Sequence, residues 1–524
     1  MSVPRLFTLF ALVSLLVAPS PGLASNPPPH RDLKRYAVII VLDGSRPDYF
    51  KLAAMPHLRA LMRRGTTYNQ AFVGQELANT PPGHATIGTG LLPKHDGVMG
   101  FLWEDPRSHT EFNPTEIWNV QAGQLEDVMR DRNIPSLARQ VHRVDRKANV
   151  TSVAAHKCYA SDAMGTPWAN DILCALIYHN RWVAQAIGNH RPPPGAINNP
   201  HWDVPIPPRT AGFGPAVQQW YKGAENAWTM KYALWAVRRI HYPRVLMINL
   251  SETDVLGHFA AGKSVPRFLM REFDRLLGQL LSTYRKAGIL SRTDIVITAD
   301  HGMSRIRARL PYHDLSYAVA EAGTTPVYIE HDTAASIGLS DSSRAPAVAT
   351  NIFRLGGNAV DATYAKVHTR HGWSYHLIES RPGLTPAVKD AYEVLANTQA
   401  CASGPDVFIV LAPHVSARDI VAWGYHWEAG HLGPQWDDQH IPLIMAGPGI
   451  RHGVVSSYPA RLVDVAPTVE RLLGVPSGKV DGIVLANALT HASAAETKAQ
   501  RSRRRFLMPV IRALEKRSAH GGKL

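Results

Sequence analysis

Cysteine is scarce in this chain of 524 residues, with Cys158, Cys174 and Cys401 the only three. They cannot all pair with one another, and no spacing among them resembles a cysteine zinc site. Cys158 and Cys174 are near enough in sequence to close a loop by a disulfide in an oxidising compartment, a matter that geometry decides. Long apolar runs are also rare. Leu6 to Ala18, behind Arg5, is dominated by apolar side chains, and Pro19 and Pro21 end it. It falls short of the ~20 residues needed to cross the hydrocarbon of a bilayer. With the small residues of Gly22-Leu23-Ala24 after it, the run reads as a secretory signal cut after Ala24, followed by a Pro-rich linker over 25–35. No later segment is long and apolar enough to span a membrane, so the mature chain is expected to be exported, to the periplasm or the medium. No internal repeat is visible. Gly and Pro number 39 each, hydrophobic residues make up 45% and charged residues 19%, which excludes collagen-like, low-complexity and wholly disordered chains. Acidic residues are the minority charge, 42 against 56 Lys and Arg, and the net +14 suits anionic partners without identifying them.

What is present is the grammar of an α/β protein. Tyr36 to Leu42 is continuously apolar and β-branched and stops at Asp43-Gly44, as a strand covered on both faces does. The same pattern recurs at Val245 to Leu250, followed by Ser-Glu-Thr-Asp254, and at Asp294 to Thr298, followed by Ala299-Asp300-His301. Asn149 to Ala154, Val407 to Leu411 and Ile441 to Ala446 are further strand candidates, and Pro56 to Arg64 and Val265 to Ala287 are helical stretches. This alternation predicts a doubly wound, mostly parallel sheet flanked by helices over residues 36–490, with ligands beyond the carboxyl ends of the strands. Segments at about 156–240 and 311–404 interrupt the pattern and read as inserted cap segments that line a pocket rim. Residues 491–524 carry Arg501, Arg503, Arg504 and Arg505 and read as a solvated basic tail in which Pro509 prevents a long helix. Weak contact with an anionic surface is its sharper reading.

Three strands thus each deliver a carboxylate just past the carboxyl end: Asp43, Asp254 and Asp300. Asp254 and His258 stand at i and i+4, on one face of any helix beginning there. His301 adjoins Asp300, and His431 follows in Glu-Ala-Gly-His-Leu-Gly. Oxygen and imidazole donors together suit zinc or a similar divalent ion better than calcium. In Asn79-Thr80-Pro81-Pro82-Gly83-His84, the prolines favour the first turn of a helix, which sets Thr80 at an N-terminus that attracts anions. A Thr hydroxyl is inert at neutral pH unless a metal lowers its pKa, so Thr80 is either a nucleophile held by a metal or a plain helix cap.

These pieces resemble the alkaline phosphatase superfamily, and most closely its nucleotide pyrophosphatase/phosphodiesterase branch and the related threonine-nucleophile phosphatases. The matching segments are Val41-Leu42-Asp43-Gly44-Ser45-Arg46, Thr80-x-x-x-His84 with Thr89-Gly90-x-x-Pro93-x-His95-x-Gly97, Asp254-x-x-x-His258, Ala299-Asp300-His301-Gly302, and Gly430-His431 leading into His440-Ile-Pro-Leu-Ile. They run in family order over most of the chain. The resemblance implies two zinc ions, one held by Asp43, Thr80, Asp300 and His301 and the other by Asp254, His258 and His431. Two divalent cations against three aspartates leave the centre about one positive charge before Thr80 ionises, which suits a phosphoryl group. The implied chemistry is attack by Thr80 on phosphorus, a phospho-threonine intermediate, and its hydrolysis by water. His84, His95 and His440 fall in matched segments and are read as structural, since the two metal spheres are filled without them.

Two departures bear on the substrate. The family commonly has an Asn 21 residues after the nucleophilic Thr to bind a non-bridging phosphoryl oxygen, and gap-free counting from Thr80 reaches Phe101. The nucleotide branch also tends to carry an aromatic directly after the Thr, where Pro81 stands here. Gly83-His84 looks more like the threonine phosphatases, whose branch sets basic residues against the phosphate, and Lys157 is the nearest candidate. The expected activity is therefore an exported binuclear-metal phosphoric-ester hydrolase acting on small phosphorylated substrates, with diesters or pyrophosphates ahead. A phosphomonoesterase or phosphonate hydrolase would share every ligand. A sulfatase is disfavoured, because no Cys/Ser-x-Pro-x-Arg context stands at Thr80. The non-enzyme alternative is an inactive binding module with a basic tail, and no specific nucleic-acid recognition is expected.

Overall fold

The computed structural model describes residues 33–520, apart from 106–109, 179–180, 193–224, 261, 263, 420 and 423–424. The signal-peptide reading of residues 1–24, most of the linker and much of the 156–240 segment lie outside the described residues. Among the described residues no helix is long and apolar enough to cross a membrane.

A nine-stranded sheet forms the centre. In chain order its strands are β1 (Tyr36–Leu42), β2 (Gly65–Phe72), β3 (Val150–Val153), β4 (Asp171–Tyr178), β5 (Arg181–Gln185), β6 (Val245–Leu250), β7 (Thr293–Thr298), β8 (Leu443–Ala446) and β9 (Val454–Arg461). Their order across the sheet is β9-β2-β8-β7-β1-β6-β3-β4-β5. β1 lies in the middle, parallel to β6 and β7, and β3 and β4 continue the parallel run. β5 and β8 run the other way. The 441–446 candidate is therefore a strand, antiparallel to both its neighbours.

The unbroken apolar run of β1 has a direct cause. Ala37, Ile39 and Val41 pack into one layer with Leu137, Val141 and Val469. Val38, Ile40 and Leu42 pack into the opposite layer with Met270, Phe273 and Leu277 of a long helix, Ser264–Lys286. A strand with helices over both faces cannot alternate apolar with polar residues, and its polar groups are left to its ends.

The 311–404 segment builds a second unit, a five-stranded antiparallel sheet that recruits Val407–Leu411, the remaining strand candidate. One edge of this sheet is the strand Pro326–His331, paired with Ala334–Leu339. Its far end reaches the functional cavity.

The chain end corrects the expectation of a solvated tail. Ala494–His520 is one helix that runs through Pro509. Leu507, Val510, Ile511 and Leu514, spaced three, four and seven apart, are buried against Val388, Tyr392 and Leu395 of the helix Pro386–Ala396. Pro509 is on the exposed side, where water can take up the carbonyl that proline leaves without a donor. Arg517 adds a bidentate pair to the fully buried Asp361, at 2.6 and 2.7 Å, and the Ser518 hydroxyl accepts from the backbone N–H of Trp436 at 2.8 Å. The arginines expected to be free in solvent are in part on the flank of a docked helix.

Candidate active site

The ends of β1, β6 and β7 are neighbours, so the residues that follow them must meet. Asp43 leaves β1, and its backbone N–H donates to the Leu250 carbonyl at 3.1 Å. Asp300 leaves β7 and accepts from the Gly44 N–H at 3.2 Å. Asp254 sits in the short helix Glu252–Gly257 that follows β6. Gly44 is required here: its φ is +67°, and a Cβ would lie 2.8 Å from Asp254 Cβ.

Thr80 opens the helix Thr80–Thr89, with proline in its first turn and the preceding Asn79 extended. The Thr80 hydroxyl lies 3.4 Å from His301 Nε2 and accepts from Lys157 Nζ at 3.3 Å. It therefore stands where the first-turn amides and the helix dipole favour a negative charge.

The imidazoles are oriented alike. Nδ1 of His258 faces the Ala429 carbonyl, Nδ1 of His301 the Gly302 carbonyl and Nδ1 of His431 the Ala78 carbonyl, each at 2.9 Å. A carbonyl only accepts, so each Nδ1 carries hydrogen and each ring turns its Nε2 inward. Those inward atoms converge on Asp254 Oδ1, at 3.3 Å for His258, 3.2 Å for His431 and 3.9 Å for His301. Asp254 Oδ1 is buried and has no hydrogen-bond donor, and neither has Asp300 Oδ2. Buried carboxylate oxygens without donors, facing imidazoles whose other nitrogen is held by a carbonyl, are groups that could hold a metal ion. Asp254, His301 and His431 form one compact group, and Asp43, Asp300 and His301 another. Of the other two residues expected as ligands, His258 stands beside the first group, 3.3 Å from Asp254 Oδ1, and Thr80 beside both, 3.4 Å from His301 Nε2. The difference from the expected partition is that His301 borders both groups, 3.4 Å from Asp300 Oδ2 and 3.5 Å from Asp43 Oδ1.

The cluster has an excess of negative charge. Burial opposes ionisation of Asp254, but Lys157, His258 and His431 hold its carboxyl well below the ordinary range. Burial likewise disfavours charging His301, yet Asp300, Asp43 and Asp254 raise it to about 9. Lys157, almost wholly buried, is drawn in between the carboxylates, 2.8 Å from Asp43 Oδ1 and 2.7 Å from Asp254 Oδ2. Its charge persists against burial because Asp254 and Asp43 face it. Positive charge is thus drawn in among these carboxylates.

Lys157 is held from behind by a disulfide between Cys158 and Cys174 that ties the helix Cys158–Gly165 to β4. Cys401 is free. Phe101, at the position counted for an amide donor, offers a ring instead, edge-on to Tyr159 with centroids 6.1 Å apart. Both rings line a cavity of about 350 Å³ that also reaches Lys157, Asp254, His258 and His431. Thr80 has no exposed surface, and the Lys157 ammonium covers its hydroxyl.

Of the three histidines read as structural, His95 pairs with Asp481 at 2.7 Å and His440 faces the Asn69 carbonyl at 3.2 Å, both away from the cluster. His84 touches it: Nδ1 is 2.9 Å from the Thr80 carbonyl and 3.3 Å from Asp300 Oδ2. Glu330 went unnoticed in the sequence. This buried carboxylate of the edge strand Pro326–His331 accepts from the backbone N–H groups of Phe101 and Leu102 at 3.1 and 3.2 Å and from the Asn79 side chain. It fixes the residue before Thr80 to the Phe101 loop. A single Glu in a strand has no local motif, so only the fold reveals it.

An α/β sheet of this order, with carboxylates and imidazoles converging at strand ends beside a hydroxyl on a helix N-terminus, places the chain among the phosphoric-ester hydrolases of the alkaline phosphatase superfamily. More narrowly, the model of the type I phosphodiesterase / nucleotide pyrophosphatase family matches residues 37–394, and the chain belongs to that family. It is 22% identical over 486 residues to the alkaline phosphatase PhoK of a Sphingomonas species, covering 81% of this chain and 85% of that protein. Among solved structures, wild-type alkaline phosphatase PafA superposes with a TM-score of 0.65 at 16% identity, over 88% of this chain and all of that one. Human ectonucleotide pyrophosphatase/phosphodiesterase 5 gives 0.59 at 14% identity, over 87% of this chain and all of that one.

Proposed function

We propose that the protein is an exported hydrolase of phosphoric esters that holds two zinc ions and uses Thr80 as its nucleophile. The observation that carries this reading is the convergence of Asp43, Asp254, Asp300, His258, His301 and His431 on buried acceptor atoms that lack donors, next to the Thr80 hydroxyl. Asp43, Thr80, Asp300 and His301 would hold one ion and Asp254, His258 and His431 the other. When bound, the pair supplies Lewis acidity, lowering the pKa of the attacking hydroxyl and neutralising the leaving oxygen.

The chain's own groups supply the rest. The helix N-terminus orients Thr80 and offers first-turn amides to a phosphoryl oxygen. Thr80 Oγ1 attacks phosphorus, the P–O bond to the leaving group breaks in line, and the resulting phospho-threonine is cleaved by water. His84 holds the Thr80 carbonyl and Asp300 together and keeps the helix start in place. Lys157 binds Asp43 and Asp254, two of the carboxylates that the ions would take. With those carboxylates shared with the ions, its ammonium would turn to the phosphoryl group in place of the amide missing at Phe101. The cavity has room for an organic group beyond the scissile bond, which favours a diester or pyrophosphate. The relative named an alkaline phosphatase favours a monoester.

The test is a panel of a phosphate monoester, a phosphate diester, a dinucleotide and a phosphonate, assayed on zinc-loaded protein with Thr80→Ala as control. Turnover of at least one phosphoric ester that disappears in Thr80→Ala supports the reading. Full activity in Thr80→Ala contradicts it.

A further inference from the structure

One group in the cavity has no part in the chemistry above. Arg418 lines the same cavity as Lys157 and His258, opposite no phosphoryl-binding residue named so far. Its guanidinium lies over the Trp427 ring, 4.7 Å from the centroid, and His258 stacks on Trp427 at 3.9 Å and 25°. No more than about 9 Å therefore separates the His258 ring from the Arg418 guanidinium carbon along this stack.

The stack is braced from behind. Arg309 donates to the carbonyl of Arg418 at 2.7 Å and to that of Trp427 at 2.6 Å, which fixes both backbones. Asp332 lies 3.4 Å from Arg418 Nε and is itself held by the Ser416 hydroxyl at 2.9 Å. Nε is buried and makes no hydrogen bond among the described residues, and the two terminal nitrogens make none either. The cavity also has apolar lining from Phe101, Tyr159, Val255, Ile329 and Leu432, beside polar Asn113 and Thr115. Arg418 and Lys157 are the two Lys or Arg side chains that line this cavity.

We propose that Arg418 binds a second negative charge on the leaving part of the substrate, so that preferred substrates are phosphoric esters whose alcohol portion bears a carboxylate or another phosphate within about 9 Å of the His258 side of the centre. A planar fork with unused donors on a braced support matches either oxyanion. The proposal rests on the hydrolase reading and specifies its substrate class.

The test uses the full zinc-loaded chain with 4-nitrophenyl phosphate, a carboxylate-bearing aryl phosphate and an aryl phosphate with a second, distal phosphate. Wild type is expected to favour at least one of the two anion-bearing esters. Arg418→Gln is expected to raise KM for the favoured ester about tenfold with kcat little changed, and to leave 4-nitrophenyl phosphate unaffected, while Arg418→Lys recovers part of the loss. Which of the two esters responds identifies the anion. Equal losses on all three substrates, or none on any, would overturn the assignment of Arg418 while the hydrolase reading stood. If wild type turned over none of the three but did hydrolyse the diester or the dinucleotide, the assignment of Arg418 would be overturned while the hydrolase reading stood; if it hydrolysed none of these esters, both would fall.

Discussion

Replacing Lys157 by Met is the perturbation whose outcome separates a metal centre from a structural ion cluster. The ammonium contacts Asp43 at 2.8 Å and Asp254 at 2.7 Å, and all three side chains are nearly or fully buried. Methionine keeps the length and removes the charge, leaving two carboxylates facing each other without a cation. Removing one partner of a buried pair costs about 3–5 kcal/mol. With ions on those carboxylates the cost is far smaller, because the metals supply the charge that Lys157 supplied. The thermodynamic cycle then requires the difference to appear as metal affinity. If about 3 kcal/mol is confined to the metal-free state, zinc binds Lys157→Met roughly a hundredfold more tightly than wild type. Two measurements close the cycle: urea denaturation of the chelator-treated proteins, in which Lys157→Met unfolds earlier, and zinc titration against a chromophoric competitor. Unchanged or weaker zinc binding in the variant would show that Lys157 does not occupy the cation positions. Activity should nonetheless fall in Lys157→Met, since the ammonium is then missing from the phosphoryl group.

Other expectations follow from single contacts. Thr80→Ala is expected to abolish turnover and the phosphopeptide recovered by mass spectrometry after acid quenching, with thermal stability little altered. Arg517→Ala leaves the fully buried Asp361 with Tyr392 and Arg381 as its neighbours, so unfolding in urea should lose about 2–3 kcal/mol of stability; a variant as stable as wild type would mean that the C-terminal helix is not docked. Glu76 is buried with neither carboxyl oxygen hydrogen-bonded, and burial pushes its pKa up to about 8. The folded state therefore keeps a proton that the unfolded state gives up near pH 4.5, so this group's contribution makes stability fall as pH rises from about 4.5 to 8. Glu76→Gln removes that contribution, and its stability advantage over wild type in urea should grow from pH 5 to pH 9. Cys158→Ser opens the loop closed onto Cys174 and should cost about 3 kcal/mol, with KM rising more than kcat falls as Lys157 loses its backing.

The central sheet was legible because burial on both faces leaves a mark in sequence. The run Tyr36 to Leu42 must be apolar at every position when its alternate residues enter two different cores. The metal-ligand candidates were legible for a related reason, since a polar residue straight after such a run has nowhere to go except the strand end. Direction was not legible: Leu443–Ala446 is as apolar as β1 and runs antiparallel. The tail was misread from one residue. Pro509 argues against a long helix, whereas Leu507, Val510, Ile511 and Leu514 carry the helical stripe and the proline falls on its exposed side. Glu330, Arg418 and Trp427 could not be found beforehand, because each acts through contacts between segments hundreds of residues apart or around a loop with no local pattern. Phe101 could be counted to but not interpreted until Tyr159 was seen against it.

Metal content and position test the central claim most directly. Purified full-length protein, analysed by elemental mass spectrometry and by anomalous diffraction at the zinc edge, is expected to contain two zinc ions per chain, one among Asp43, Asp300 and His301 and one beside Asp254, with His258 and His431 in contact. A metal-free protein active on a phosphoric ester, or a single ion bound away from these residues, would contradict it.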